Sequence, residues 1–356
     1  MNTSQQIPPS ETEVVLDEPL TTKEGWRRWV QTEPHPPQPI SQTDWQQLDP
    51  AARELHTDAR LAYHSDLVIV NTPTIREVIN TGRRLVLLNR RQISARRGLI
   101  VTGAPGTGKT TAITQLGRAH ELLIRRRHPR DGARLPVVYI TVPPAATPRM
   151  VAVEFARFLG LPLTVRSNHT DVTNAVCGVL GDVGCDLVLI DEMHNLNLAT
   201  RAGAEASDQL KYFSERIRAT FIYAGIDVER VGLFSGTRGR QIAGRFASIP
   251  TTGFAYGNAA HRETWRSLVA TLEQALRLKQ HPTGSLLALD RYLYQRSTGM
   301  IGSLSHLIRG AAIDAINDGT EKITRSHLDG IRLDHAAQNS YLPKHVTRPR
   351  TAGAGV

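Results

Sequence analysis

The chain has 356 residues, 40% of them hydrophobic, with 43 lysines and arginines against 33 acidic residues and a formal net charge of +10. That length fits two domains with flanking segments, and no apolar run approaches the ~18 residues of a membrane span. Two cysteines, Cys177 and Cys185, supply neither a disulfide framework nor a metal-ligand set.

Residues 1–43 read as a flexible N-terminal arm, rich in Pro, Gln, Thr and Ser, with PHPPQP at 34–39. Its start, MNTSQQIPPSETEVV, lacks the apolar segment of a signal peptide, and the chain is expected to be cytoplasmic. Trp26-Arg27-Arg28-Trp29 leaves two readings open: docking on a partner or nucleic acid, or packing on the body. Residues 44–64 read as helical, with Pro50 at a helix start and Leu48, Leu55, Ala59 and Ala62 as apolar positions. Residues 74–91 form a second, with Ile75, Val78, Ile79, Leu85, Val86 and Leu88 on one face. Both are expected to cover one side of a nucleotide domain.

Residues 97–111, RGLIVTGAPGTGKTT, organise the rest. Leu99-Ile100-Val101 reads as a buried strand, and Lys109 opens a helix. Between them Gly103, Ala104, Pro105, Gly106, Thr107 and Gly108 form a loop whose N–H groups can turn inward onto phosphate oxygens. The helix N-terminus adds its partial positive charge at the same spot. Lys109 can reach the β- and γ-phosphates of ATP, the Thr110 hydroxyl can bind Mg²⁺, and Thr111 completes the cradle.

The helix after this loop ends in Arg125-Arg126-Arg127, which suits the helix dipole and equally a DNA contact. PVVYITV (136–142) is the next buried strand. Thr147-Pro148 starts a helix, and Arg149 is the clear cation of the loop before it. A helix over 170–181 leads to LVLIDE (187–192), a central strand that delivers two carboxylates to the sheet edge where α/β proteins bind ligands. Asp191 would hold Mg²⁺ and Glu192 would polarise the attacking water. A helix over 205–218, the strand TFIYAG (220–225), the Gly/Arg-rich GTRGRQIAGRFA (236–247) and a short strand in IPTTGFAY (249–256) follow. From there the pattern is helical: 259–278, 284–297, 303–318 and 324–334. The fold class is therefore α/β, a parallel sheet between helices with a C-terminal helical lid. The division is arm 1–43, nucleotide-binding domain 44–256, lid 257–335 and disordered basic tail 336–356.

GAPGTGKTT with LVLIDEMHNL, a further strand, an arginine-rich segment and a helical lid together resemble an AAA+ P-loop ATPase. IDEMHNL, QIAGRFASIP (241–250) and STGMIGSLSHLIRGAA (297–312) are similar to the TniB/TnsC transposition regulators, over roughly residues 60–335. The resemblance implies ATP and Mg²⁺ as cofactors and a homo-oligomeric ring or filament on double-stranded DNA. It also implies a DDE-type transposase and a TniQ-type target-selection protein as partners. It aligns Arg245 with an arginine finger given to a neighbouring subunit, with Arg238 and Arg240 as rivals. Gly302 stands where the lid's sensor arginine is expected, and TFIYAG lacks a polar residue at its end, with Tyr223 and Asp227 as weak stand-ins. Both departures imply slow hydrolysis that depends on assembly. Other readings are a helicase-loader or initiator-like ATPase and a STAND-type signalling NTPase; DEMH (191–194) alone would also suit a DExH helicase.

Overall fold

The computed structural model describes residues 18–33, 35–66, 69–163, 168–196, 200–228 and 243–340. Short runs of branched apolar residues become five strands: β1 (Gly98–Gly103), β2 (Val137–Thr141), β3 (Leu187–Asp191), β4 (Thr220–Gly225) and β5 (Phe246–Thr251). They form one sheet in the order β2-β3-β4-β1-β5, every pair parallel. Residues 187–190 of β3 are fully buried, as are Leu99 and Val101 of β1. Burial on both faces is why these strands read as continuous apolar runs instead of alternating ones.

Helices α1 (Lys23–Gln31), α2 (Gln42–Gln47), α3 (Pro50–Ser65) and α4 (Pro73–Asn89) precede the sheet. Within it run α5 (Lys109–Arg127), α6 (Pro148–Leu159), α7 (His169–Asp182) and α8 (Arg201–Arg216). Three starts carry the same local signal, a side-chain cap followed by proline: Asp49-Pro50, Thr72-Pro73 and Thr147-Pro148. After β5 come α9 (Ala259–Gln274), α10 (Asp290–Ser297), α11 (Ile301–Asn317), α12 (Arg325–Gly330) and α13 (His335–Ser340). A second apolar cluster forms there around Trp265, Leu293, Leu304, Leu307 and Leu328, separate from the core of the sheet.

Pro50 does start a helix, α3, because the Asp49 carboxylate accepts the Ala52 N–H there, and residues 42–47 form the separate α2. Several expectations are corrected. The expected apolar positions are not what α3 buries. Leu55 is 73% exposed, whereas Arg60 and His64 are each 2% exposed. The reason is the partner: α4 packs on α5 and the sheet, but α3 packs on α11. There Arg60 grips Glu321 with two nitrogens, at 2.6 and 3.0 Å, and Lys279 lies 3.1 Å from the same carboxylate. Residues 284–297 are not one α-helix. The buried Glu273 carboxylate accepts the Gly284 and Leu286 N–H groups and holds 284–286 as a turn; Leu287–Leu289 is a single 3-10 turn, and α10 starts only at Asp290.

A flexible arm does not describe α1, whose Trp26 is fully buried against the sheet's core; of the two readings of this segment, packing on the body is the observed one. The tail reading does not describe residues 336–340, which belong to α13 with Ala337 buried. Residues 1–17 and 341–356 lie outside the described residues.

Candidate nucleotide-binding site

The phosphate loop leaves β1 at Gly103 and enters α5 at Lys109. Gly108 caps α5 with φ 89°, a left-handed conformation that leaves the first N–H groups of the helix facing the loop. The loop is braced from inside: the Thr107 hydroxyl donates to the Ala104 carbonyl at 2.8 Å and lies 2.7 Å from the Thr251 hydroxyl, which in turn donates to the Thr102 carbonyl at 3.1 Å. Thr251, 2% exposed at the end of β5, is a functional residue that the sequence pattern did not single out.

Lys109 folds back into the loop, its Nζ donating to the carbonyls of Gly103 at 2.9 Å and Ala104 at 2.8 Å. Burial lowers its pKa, opposed by the carboxylates of Asp191 and Glu192. The Thr110 hydroxyl donates to Asp191 Oδ2 at 2.6 Å. Asp191 is 2% exposed, and its other oxygen accepts the Glu192 N–H at 2.8 Å. A third donor is Tyr139 on β2, whose hydroxyl reaches Oδ2 at 3.3 Å. Burial, and then the charge of Asp191, push the Tyr139 phenol well above its usual pKa.

Glu192 differs from its neighbour in every respect. It leaves β3 in a left-handed conformation, φ 58°, unusual for a residue with a side chain and concentrated at functional positions. Its carboxylate is 42% exposed and stands 3.2 Å from His194 Nδ1, which makes no aligned hydrogen bond. One carboxylate is thus pinned and buried, the other open to the pocket.

A hollow of about 630 Å³ runs from these groups to an apolar end. Its polar half is Pro105 to Thr111 with Glu192; its apolar half includes Val70, Ile75, Phe254, Leu272 and Ile301. A Gly-rich cradle joined to an apolar slot suits a nucleotide, with phosphates at one end and a base at the other. The apolar half is assembled from four separate chain segments, so no local pattern announced it. Two hard oxygens, Thr110 Oγ1 and Asp191 Oδ2, fit Mg²⁺, which takes one or two protein oxygens together with phosphate oxygens.

The lid meets this loop through its backbone: the Gly302 N–H donates to the Gly106 carbonyl at 3.1 Å. A Cβ at Gly302 would stand 3.3 Å from Gly106, so this position gives close approach where a sensor arginine was expected. Arg309 lies elsewhere, donating to the carbonyls of His64 and Ser65 at the end of α3. Tyr223 is a core residue stacked on Phe246 at 4.9 Å, and Asp227 is exposed just after β4.

Arg245 immediately precedes β5, and its carbonyl accepts the Gly98 N–H at the start of β1. It therefore sits at the sheet edge opposite to the phosphate loop, six residue rises or roughly 20 Å of strand away. There it lines a second hollow of about 260 Å³ with Arg96, Arg97, Lys211 and Glu215. Arg238 and Arg240 lie outside the described residues.

The candidate DNA contacts are not brought together. Helix α5, ~28 Å long, carries Arg125, Arg126 and Arg127 to the edge remote from the phosphate loop, whereas Arg149 follows β2 at the loop's own edge. Arg126 and Arg127 are exposed, but Arg125 Nε donates to the buried Glu121 carboxylate at 3.0 Å. Among the described residues no helix is long and apolar enough to cross a membrane.

A parallel sheet in this order, a glycine-rich loop running from β1 into a helix, and an acidic pair at the end of β3, with β4 between the two strands, define an AAA+ ATPase. Solved structures share the fold. Orc1 of Aeropyrum pernix, solved in complex with DNA, matches with a TM-score of 0.56 and 16% identity, over 78% of this chain and 66% of that one. The ADP form of the ORC2 protein of Aeropyrum pernix matches with a TM-score of 0.55 and 17% identity, over 74% of this chain and 69% of that one. The chain thus spans about two thirds of the length of these proteins. A search of curated proteins finds no match. The family described as "Bacterial TniB protein" matches residues 60–256, and the chain belongs to the TniB family.

Proposed function

We propose that this TniB-family ATPase regulates DNA transposition by assembling on double-stranded DNA in its ATP-bound state. As a ring or filament it recruits or activates a DDE-type transposase and connects it to a TniQ-type target-selection protein; hydrolysis disassembles it. The observation that carries the assembly step is the separation of Arg245 from its own phosphate loop by the length of a strand. An arginine there is too far away to serve its own nucleotide; given to the nucleotide of a neighbouring subunit, it ties hydrolysis to assembly.

Within one site, Lys109 leaves its two loop carbonyls and turns to the β- and γ-phosphates, while the N-terminus of α5 holds the phosphate oxygens. Thr110 and Asp191 would hold Mg²⁺, which when bound draws charge from the phosphates. Glu192, exposed to the pocket and freed from the sheet by its left-handed backbone, orients and polarises the attacking water. With a glycine at position 302 in place of a lid arginine, turnover by the isolated protein is slow. We carry the division into a nucleotide-binding domain (44–256) and a lid (257–335) as part of this reading; the two separate apolar clusters support it, with the exception that α3 packs on the lid's α11. DNA contacts are mainly to phosphates through Arg126, Arg127 and Arg149, hence weakly sequence-specific and strongly salt-dependent.

The test is negative-stain microscopy with double-stranded DNA, comparing a slowly hydrolysed ATP analogue with ADP. Rings or filaments that need both DNA and the analogue are expected. Arg245→Ala is expected to keep nucleotide binding and lose DNA-stimulated hydrolysis. Monomers under all conditions would overturn the assembly mechanism and favour a STAND-type latch. A helicase-loader or initiator-like role predicts assembly without capture of a transposase.

A further inference from the structure

Helix α1 is built into the molecule more firmly than its composition announces. Trp26 is fully buried. Its indole lies on the ring of Tyr139, 20° from parallel with centroids 5.9 Å apart. Its Nε1–H donates to Glu121, a carboxylate with no exposed surface that also takes the Arg125 guanidinium. Space for the indole exists because residue 117 is glycine: a Cβ there would stand 2.7 Å from the Trp26 ring and 2.7 Å from Leu189. Both ends of α1 are fastened as well. Arg118 donates to the carbonyls of Val30 at 3.2 Å and Thr32 at 2.8 Å, and Lys23 donates to the Leu159 carbonyl at 3.3 Å.

The far side of Tyr139 meets Asp191. Its hydroxyl donates to the carboxylate oxygen that also accepts Thr110. At 3.3 Å this bond is long for O–H···O, so it orients the carboxylate more than it holds it. Asp191 is fixed from three directions: Thr110 from α5, its neighbour's N–H from the strand end, and Tyr139 from β2. The third reaches outside the motif, to the indole packed on the ring.

We propose that Tyr139 is a positioning residue for the Mg²⁺-facing carboxylate of Asp191, and that α1, through Trp26, sets its position. The first described helix of the chain is then a structural part of the hydrolytic site. A protein that draws α1 off the body would weaken metal binding without touching the phosphate loop. The inference rests on the reading of Thr110 and Asp191 as the Mg²⁺ site.

The experiment measures Mn²⁺ binding by electron paramagnetic resonance, in the full chain with a non-hydrolysable ATP analogue, so that no turnover is involved. Tyr139→Phe keeps the ring and removes the hydroxyl. Groups that orient metal ligands typically change metal affinity by tenfold or more, so a loss of about tenfold is expected. Affinity for the analogue in EDTA should stay unchanged; a general packing defect would lower it too. Trp26→Phe should weaken Mn²⁺ in the same direction by less, and add nothing once Tyr139 is Phe. Mn²⁺ affinity of Tyr139→Phe within about twofold of the parent would overturn the role of Tyr139. Additive effects of the two substitutions would overturn the role of α1. Asp191→Asn runs alongside: if it too leaves Mn²⁺ binding intact, the metal site itself is misassigned, and the failure lies there.

Discussion

Beneath the phosphate loop, the buried residues are Leu99, Ile100, Leu187 to Ile190 and Ile222, all apolar and at most 1% exposed. Where α3 meets the helical region, the buried residues are Arg60, His64 and Glu321, with Lys279 alongside. Apolar contact is non-directional and tolerates small sliding, whereas a two-nitrogen grip on a carboxylate fixes orientation and leaves a stranded charge when it opens. The sheet is thus held by volume and α3 by geometry. It follows that α3, although it precedes the sheet in sequence, belongs mechanically to the helical region, while α4 belongs to the sheet.

Four experiments break or sharpen that contrast. The largest effect is expected from Glu321→Ala, which strands Arg60 and Lys279 and should cost about 3–5 kcal/mol by urea denaturation. Replacing Arg60, Lys279 and Glu321 together by Met should recover most of it; equal losses would mean that shape, not charge, seats α3. Leu99→Ala should cost about 2–5 kcal/mol through the cavity it leaves in the sheet, with little dependence on salt.

The third is a pH effect. Burial, and then the guanidinium groups of Arg60, Arg277 and Arg309, hold the His64 pKa down at about 4, and its Nε2 accepts the Arg277 N–H at 3.2 Å. The folded chain keeps this histidine neutral where the unfolded chain protonates it. Its contribution is therefore complete above pH ~6.5 and is lost progressively down to about 4, roughly 3 kcal/mol in all. Denaturation curves at several pH values should show that slope, and His64→Gln should flatten it. The smallest effect is Arg309→Ala, which removes the donors at the C-terminal carbonyls of α3 and should cost about 1–2 kcal/mol.

The sequence makes the contrast visible from one side only. The strands, the phosphate loop and Asp191-Glu192 were legible because each is a local pattern: an apolar run, a glycine spacing, a pair at a strand end. Helix α3 was misread because its pattern is inverted, with Leu55 outward and Arg60 inward, and the reason lies at Glu321, far along the chain. Tyr139 sits in PVVYITV and reads as one more core residue; only the fold shows its hydroxyl beside Asp191. Thr251 and the apolar half of the pocket were hidden for the same reason, since they meet the loop through tertiary structure alone. Arg245 reads as part of a Gly/Arg-rich segment with the strand starting only at 249, whereas β5 starts at Phe246, and what Arg245 serves lies outside its own chain under the proposed assembly.

The short stretch between α3 and α4 carries one more implication. Val70, Thr72 and Pro73 line the nucleotide hollow, and so do Thr252, Gly253 and Phe254 of the stretch between β5 and α9. The ligand therefore lies across both strands of chain that join the lid-borne parts to the sheet. An occupied pocket would act as a splint laid over both connections at once.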